Sequence, residues 1–247
     1  MLSGKRILIT GSNGGIGNSI SKILLENNAE LVLLYNKNRD QLDNLTSEIK
    51  FDKSKIQTYQ VDLCNSIQLN STLKSIINSG PIDIFIHSVS LPISYKPITN
   101  LSWDEYQEHI DLQTKSFLQI VQLLIPDMKK NKGKIISILT SYTVGAPPNS
   151  ISNYILAKYS LLGLSKSMAV ELGPLGITVN CVSPSMTQTP LISNIPSKLK
   201  EIIENQTPLK RLASPTDVSS VILFLCSKLS DYVNGENILV TGGHTMQ

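Results

Sequence analysis

The sequence predicts an α/β fold in which a parallel sheet is wound on both faces by helices. Short apolar, β-branched runs alternate with longer amphipathic segments along the whole chain. The runs are nearly continuously apolar, as strands buried on both faces must be. Residues able to do chemistry fall just after these runs: Gly11, Asp62, His87, Ser141 and Pro184. That edge of a doubly wound sheet is where its ligand crevice forms.

Seven strands are predicted, at 6–10, 31–35, 56–61, 82–86, 134–139, 177–182 and 238–240. Helical patterns lie between them at 15–27, 39–50, 66–79, 102–130, 152–172 and 215–227. Strand–helix–strand repeats of this kind close with right-handed crossovers, which gives the doubly wound arrangement. Residues 187–208, punctuated by Pro and Ser, read as a lid over a substrate or as a plain connecting loop.

Length and composition fit one domain spanning 1–247, with 41% hydrophobic and 17% charged residues. A net charge of +3 from scattered Lys and Arg argues against nucleic acid as a partner. No apolar run reaches the roughly 18 residues of a membrane span. The first strand begins by about Lys5, which leaves no room for a signal peptide. Cys64, Cys181 and Cys226 sit in apolar contexts and are expected to be buried structural thiols. A cytoplasmic location follows from that expectation. No metal site is assigned.

Two motifs carry the chemistry. The first strand runs into Gly11-Ser12-Asn13-Gly14-Gly15-Ile16-Gly17, a glycine turn opening a helix. Strand, glycine turn and helix N-terminus together hold the pyrophosphate of a dinucleotide. Far downstream, Tyr154 and Lys158 are four residues apart on one helix face. An ammonium there favours phenolate over phenol, so the tyrosine is expected to exchange protons near neutrality.

These motifs resemble those of the short-chain dehydrogenase/reductase superfamily, and the likeness covers essentially the whole chain. Thr10-Gly11 through Gly15-Ile16-Gly17 is similar to its glycine pattern. So are Val61-Asp62-Leu63, Ser141 thirteen residues before Tyr154, Val179-Asn180-Cys181-Val182-Ser183-Pro184, and the ending Val240-Thr241-Gly242-Gly243. The nearest likeness within the superfamily is to the 3-oxoacyl-[acyl-carrier-protein] reductase-like group. The resemblance implies a single-domain Rossmann fold with a seven-stranded parallel sheet. It implies a cofactor site of Gly11, Ser12, Asn13, Gly15, Ile16, Gly17, Tyr35, Asn36, Lys37, Asp62, Leu63, His87, Ser88, Tyr154, Lys158, Pro184, Thr187 and Thr189. It implies Tyr154 as proton donor to a carbonyl oxygen, Ser141 as the hydroxyl that holds that oxygen, and Lys158 as partner of the tyrosine and of the nicotinamide ribose. Counting back from Tyr154 selects Ser141 for this role; counting forward from Gly133 favours Thr140. Ser141 is assigned.

Cofactor choice turns on the end of the second strand. An acid there binds a ribose hydroxyl and repels a 2′-phosphate. This chain has Tyr35-Asn36-Lys37-Asn38-Arg39 instead, so NADP(H) is favoured over NAD(H). Gly14, where NADP-dependent relatives carry a basic residue, weighs the other way. Lys37 and Arg39 also read as a solvated turn.

Two departures from the family pattern stand out. His87-Ser88-Val89-Ser90 replaces Asn-Asn-Ala-Gly, and His87 reads as a hydrogen-bonded structural or cofactor-edge residue rather than a base. Gln113, twenty-eight residues before Ser141, replaces an Asn that bends the helix and holds a proton-relaying water. Its amide is the same on one more methylene, so it is assigned to the catalytic set, with an exposed helix position as the other reading.

The resulting expectation is an NADPH-dependent reductase making a secondary alcohol from a ketone, foremost a 3-oxoacyl thioester on an acyl carrier protein. Lys129, Lys130, Lys132 and Lys134 supply a basic docking patch, although Leu175 replaces a second basic position. The alternatives are a reductase or dehydrogenase for a free alcohol, sugar, steroid-like or polyketide substrate, and a cofactor-binding sensor or scaffold. The resemblance also implies a homotetramer, or a dimer, assembled through the helices at 102–130 and 152–172.

Overall fold

Residues 1–48 and 52–246 are described by a computed structural model. Its strands are β1 (Arg6–Thr10), β2 (Glu30–Tyr35), β3 (Ile56–Gln60), β4 (Ile84–His87), β5 (Lys134–Ile138), β6 (Thr178–Pro184) and β7 (Asn237–Val240). They form one sheet in the order β3-β2-β1-β4-β5-β6-β7. Every pairing is parallel. The order reverses between β1 and β4, where Thr10 lies beside His87. A crevice opens at such a switch point.

The helices are α1 (Gly15–Glu26), α2 (Asp40–Glu48), α3 (Ser66–Asn78), α4 (Trp103–Ile110), α5 (Ser116–Asn131), α6 (Ser152–Leu172), α7 (Ser197–Gln206) and α8 (Pro215–Cys226). Side-chain alternation along β1 sorts them to the two faces. Leu8 joins Phe85, Ile120, Leu124 and Leu161 in the core under α3, α5 and α6. Ile7 and Ile9 join Ile20, Leu24 and Ile222 in the core under α1 and α8. Both faces are therefore covered, which is why the strands read as unbroken apolar runs. Starts of helices follow local chemistry. Asn65 caps α3, while Ser102 with Glu105 and Ser214 with Asp217 form capping boxes on α4 and α8.

The structure corrects several boundaries. The continuous helix expected over 102–130 is interrupted by a π turn, Asp111–Lys115, between α4 and α5. Such a turn takes up one extra residue and shifts the phase of the apolar face only locally, a change that spacing along one long segment does not single out. The expected end of the second helix, Lys50, lies outside the described residues. His87 closes β4 instead of following it. Residues 187–208 are neither a bare loop nor irregular throughout: they contain the 3-10 turn Pro190–Ile192 and helix α7. Ile192, Ile195 and Leu212 form a small core there with Met186 and Ile203. The root of this segment is pinned by Gln188 N–H to Ala213 O at 2.9 Å.

Cys181 and Cys226 are buried, but Cys64 is exposed, in the turn between β3 and α3. Lys134 is not part of a surface patch. It is buried, and its ammonium donates to Ser227 O at 2.9 Å and Ser230 Oγ at 3.0 Å and pairs with Asp231 at 2.8 Å. Lys129, Lys130 and Lys132 remain exposed. Among the described residues no helix is long and apolar enough to cross a membrane.

Candidate active site

The glycine turn is built by backbone crowding. Gly11 has φ +68°, and a side chain on it would overlap the Ser88 carbonyl. A side chain on Gly17 would overlap the Gly11 carbonyl. Glycine alone satisfies both approaches. Ser12 is buried and donates to Leu34 O at 3.0 Å, which ties the turn to β2. Helix α1 then begins after Gly14 with no side-chain cap and no acid in its first turn. Its leading amides and positive dipole end suit an anion, so the turn fits a dinucleotide pyrophosphate.

At the end of β2 no acid is present. Tyr35 is half-buried, and the Arg39 guanidinium stands 6.0 Å over its ring while pairing with Asp43 at 2.9 Å. Asn36 and Lys37 are exposed. Beyond β3, Asp62 is exposed and accepts from the Cys64 N–H at 2.9 Å, while Leu63 is buried.

A cavity of about 320 Å³ opens beside the glycine turn. Of the sequence-predicted residues, Asn13, Gly15, Ile16, Gly17, Ser88, Tyr154, Lys158, Pro184, Thr187 and Thr189 line it. The adenosine-end residues Tyr35, Asn36, Lys37, Asp62 and Leu63 lie outside it, as do Gly11 and Ser12. Thr189 reaches across to the turn, its methyl 2.8 Å from where a Gly15 Cβ would stand. The far wall is apolar and was not anticipated: Ile93, Met186, Leu191, Ile192 and Ile195, with Tyr95 and Tyr142. These residues sit in irregular segments where periodicity carries no signal.

Tyr154 and Lys158 are buried on α6, with the ammonium 5.7 Å from the ring centroid. Lys158 donates to Ile138 O at 2.9 Å. Burial corrects the expected electrostatics. It pushes the Tyr154 phenol up to about 12, against the opposing pull of the Thr140 side chain. It brings Lys158 down to about 7. Burial thus favours the neutral form of both groups, the phenol on Tyr154 and the amine on Lys158.

The hydroxyl beside that phenol belongs to Thr140. It lines the cavity, and Ser141 does not. Thr140 keeps extended backbone, φ −153° and ψ 148°, and so continues the line of β5 to the crevice. Ser141 starts the 3-10 turn Ser141–Thr143 and is buried within it. The structure thus brings to the cavity the residue that the count forward from Gly133 favours.

His87 is buried behind the cavity wall, outside the cavity itself. Its Nε2 lies 2.9 Å from Gln113 O, and its Nδ1 lies 2.9 Å from Thr10 Oγ1. A carbonyl only accepts, so Nε2 carries the proton and Nδ1 accepts from threonine. Burial lowers the imidazole to about 3 and keeps it neutral. Gln113 is fully buried inside the π turn, not exposed. Its Nε2 lies 3.2 Å from His109 Nδ1, and its Oε1 is a buried atom with no partner among the described residues. His109 is a neighbour that sequence reasoning missed. Its position i−4 to Gln113 was the available signal.

A family model described as Enoyl-(Acyl carrier protein) reductase matches residues 11–245. The chain belongs to the short-chain dehydrogenase/reductase superfamily. It is accordingly an NAD(P)-dependent oxidoreductase acting on CH–OH/C=O groups, on a Rossmann fold. A 3-oxoacyl-[acyl-carrier-protein] reductase FabG of Thermotoga maritima is 28% identical over 244 residues, covering 98% of each chain. The like-named protein of Rickettsia felis is 28% identical over 246 residues, covering 99% of this chain and 98% of its own. Among solved structures, a short-chain dehydrogenase/reductase (glucose/ribitol dehydrogenase) from Brucella melitensis superposes with TM-score 0.90 at 27% identity, covering 100% and 98% of the two chains. A 3-ketoacyl-(acyl-carrier-protein) reductase from the same organism, complexed with NADH, gives TM-score 0.89 at 21% identity with 100% coverage of both chains, and so bears on the fold alone.

Proposed function

We propose that this short-chain dehydrogenase/reductase uses NADPH to reduce a 3-oxoacyl thioester, carried on an acyl carrier protein, to the 3-hydroxyacyl thioester. One observation carries the reading: Tyr154, Lys158 and Thr140 converge on an apolar-walled cavity beside the glycine turn. The nicotinamide coenzyme supplies the hydride when bound. Tyr154, held protonated by burial, gives its phenolic proton to the substrate oxygen. Thr140 donates to that same oxygen and sets its direction, in the place first assigned to Ser141. A charged Lys158 then stabilises the phenolate left behind and restores its proton; we assign the buried, unpartnered Gln113 Oε1 as an acceptor for the water that recharges it. Ile93, Met186, Ile192 and Ile195 suit an acyl chain and exclude water from it.

NADPH is supported by the absence of an acid at Tyr35 and by Arg39 held over that ring. The names of the bacterial relatives support the acyl-carrier substrate. Exposed Lys129, Lys130 and Lys132 would meet an acidic carrier, although Leu175 adds no charge beside them. In this reading the 247 residues act as one unit with 187–208 as the lid, in the cytoplasm, as a homotetramer or dimer.

A second reading, a free sugar or other alcohol, is favoured by the glucose/ribitol dehydrogenase likeness. The cavity's far wall offers a polyol few hydrogen-bond partners. Following NADPH absorbance with acetoacetyl thioesters and with a panel of free ketones and sugars decides between them. Turnover confined to sugars overturns the proposal.

A further inference from the structure

Gln113 is held between two imidazoles, and only one of them grips its side chain. His87 donates to the backbone carbonyl, while the Gln113 amide nitrogen meets His109 Nδ1 at 3.2 Å. An amide N–H can only donate, so Nδ1 of His109 is the acceptor and its ring proton sits on Nε2. The His109 ring stands edge-on to that of Tyr154, with centroids 6.4 Å apart and planes at 80°. One residue beyond Gln113, the Thr114 hydroxyl donates at 3.4 Å to the carbonyl of Ala157, which precedes Lys158. Thr114 within the π turn and His109 in the helical turn before it thus both touch the Tyr154–Lys158 turn.

A buried amide without a fixed partner can rotate to offer either its oxygen or its nitrogen. In the orientation the structure gives, the nitrogen donates to His109 and the fully buried Oε1 is left as the acceptor. We infer that His109 is a positioning residue which locks the Gln113 amide in this one orientation, so that Oε1 stays available to the proton route that recharges Lys158. This inference rests on the proposed reductase reading. Tyr154 and Lys158 are the titratable groups that face His109 from α6, and His87 lies beyond Gln113. Burial, followed by the Lys158 charge, lowers the His109 imidazole and keeps it in the accepting form.

Two substitutions separate positioning from packing. His109→Phe keeps the ring contact and removes the acceptor; His109→Asn keeps an acceptor close to the Nδ1 position. His109→Phe is expected to lower kcat by about 10- to 100-fold with KM within about twofold, to shift the pH profile of kcat, and to leave the melting temperature unchanged. His109→Asn is expected to regain most of the loss. Unchanged kcat and pH profile in His109→Phe overturn the inference, as does an equal loss in both variants accompanied by a fall in melting temperature. A readout free of turnover is available because the chain has three histidines. In nitrogen–proton correlation spectra of histidine-labelled protein, His109 is expected as the Nε2–H tautomer at pH 7, and Gln113→Leu is expected to release it to a mixture. A proton on Nδ1 of the wild type overturns the inference. Should the wild type reduce no ketone at all, the proposed reaction fails, and the spectra alone then decide whether Gln113 and His109 are locked together.

Discussion

The Thr140 side chain stands by the phenol of Tyr154 and pulls it toward phenolate, while Ser141, one residue on, is folded into a buried turn. The two hydroxyls therefore make opposite predictions. Thr140→Ala is expected to lower kcat by about 10²- to 10³-fold, the loss seen when one donor to a developing oxyanion is removed. Thr140→Ser is expected to keep most of the rate, and Ser141→Ala to stay within about threefold of wild type. Steady-state kinetics on the same ketone decides; a larger loss in Ser141→Ala than in Thr140→Ala would return the role to the serine.

Tyr154→Phe isolates the acid. The ring still fills its buried place against Ile151 and Ile155, so folding and cofactor binding are expected to persist. Turnover is expected to fall by at least about 10²-fold, the scale of general acid catalysis. NADPH fluorescence titration checks binding and absorbance checks rate. Retained turnover would remove Tyr154 from the proton-donor role.

Legibility in the sequence divides along physical lines. The sheet, the glycine turn and the Tyr154–Lys158 pair were readable because each rests on local pattern: apolar runs, crowded glycines, and spacing along one helix. Thr140 was not separable from Ser141 because one residue's difference is a matter of backbone direction, decided where β5 ends and the 3-10 turn begins. The π turn at Asp111–Lys115 was not readable because its single extra residue shifts the apolar face over one turn only, too short a span to show in spacing. Helix α7 was masked by Pro196 and the polar residues at its start. The burial of Tyr154 and Lys158 was not legible because it comes from distant elements; it raises the phenol and lowers the ammonium.

Coenzyme preference is testable at the end of β2. Tyr35→Asp places a carboxylate where a 2′-phosphate would approach, so the ratio of kcat/KM for NADPH over NADH is expected to fall by at least about 10-fold. Arg39→Ala removes the cation above the ring and is expected to raise the KM for NADPH while leaving that for NADH near wild type. Parallel kinetics with both coenzymes checks this. An unchanged ratio in both variants would show that phosphate recognition lies elsewhere.

Lys158 links activity to stability with a definite sign. Its ammonium donates to the Ile138 carbonyl, and burial brings it from the ordinary 10.5 down to about 7. Between those values the unfolded chain holds a proton that the folded chain has released, so folding stability rises with pH across that window. The slope is at most about 1.4 kcal/mol per pH unit. Lys158→Met lacks the titrating group and is expected to lose this slope and to be the more stable protein at pH 7, while losing most of its turnover. Denaturant unfolding of both proteins at pH 7 and 8.5 gives the difference, which cancels contributions from the thiols. The rate follows the opposite sign: the charged lysine that stabilises a phenolate is present below about 7, so kcat for ketone reduction is expected to decline as pH rises through that value. A wild-type rate that climbs through the same range, with no stability difference between the two proteins, would mean that Lys158 is charged throughout and that its burial is offset by a partner.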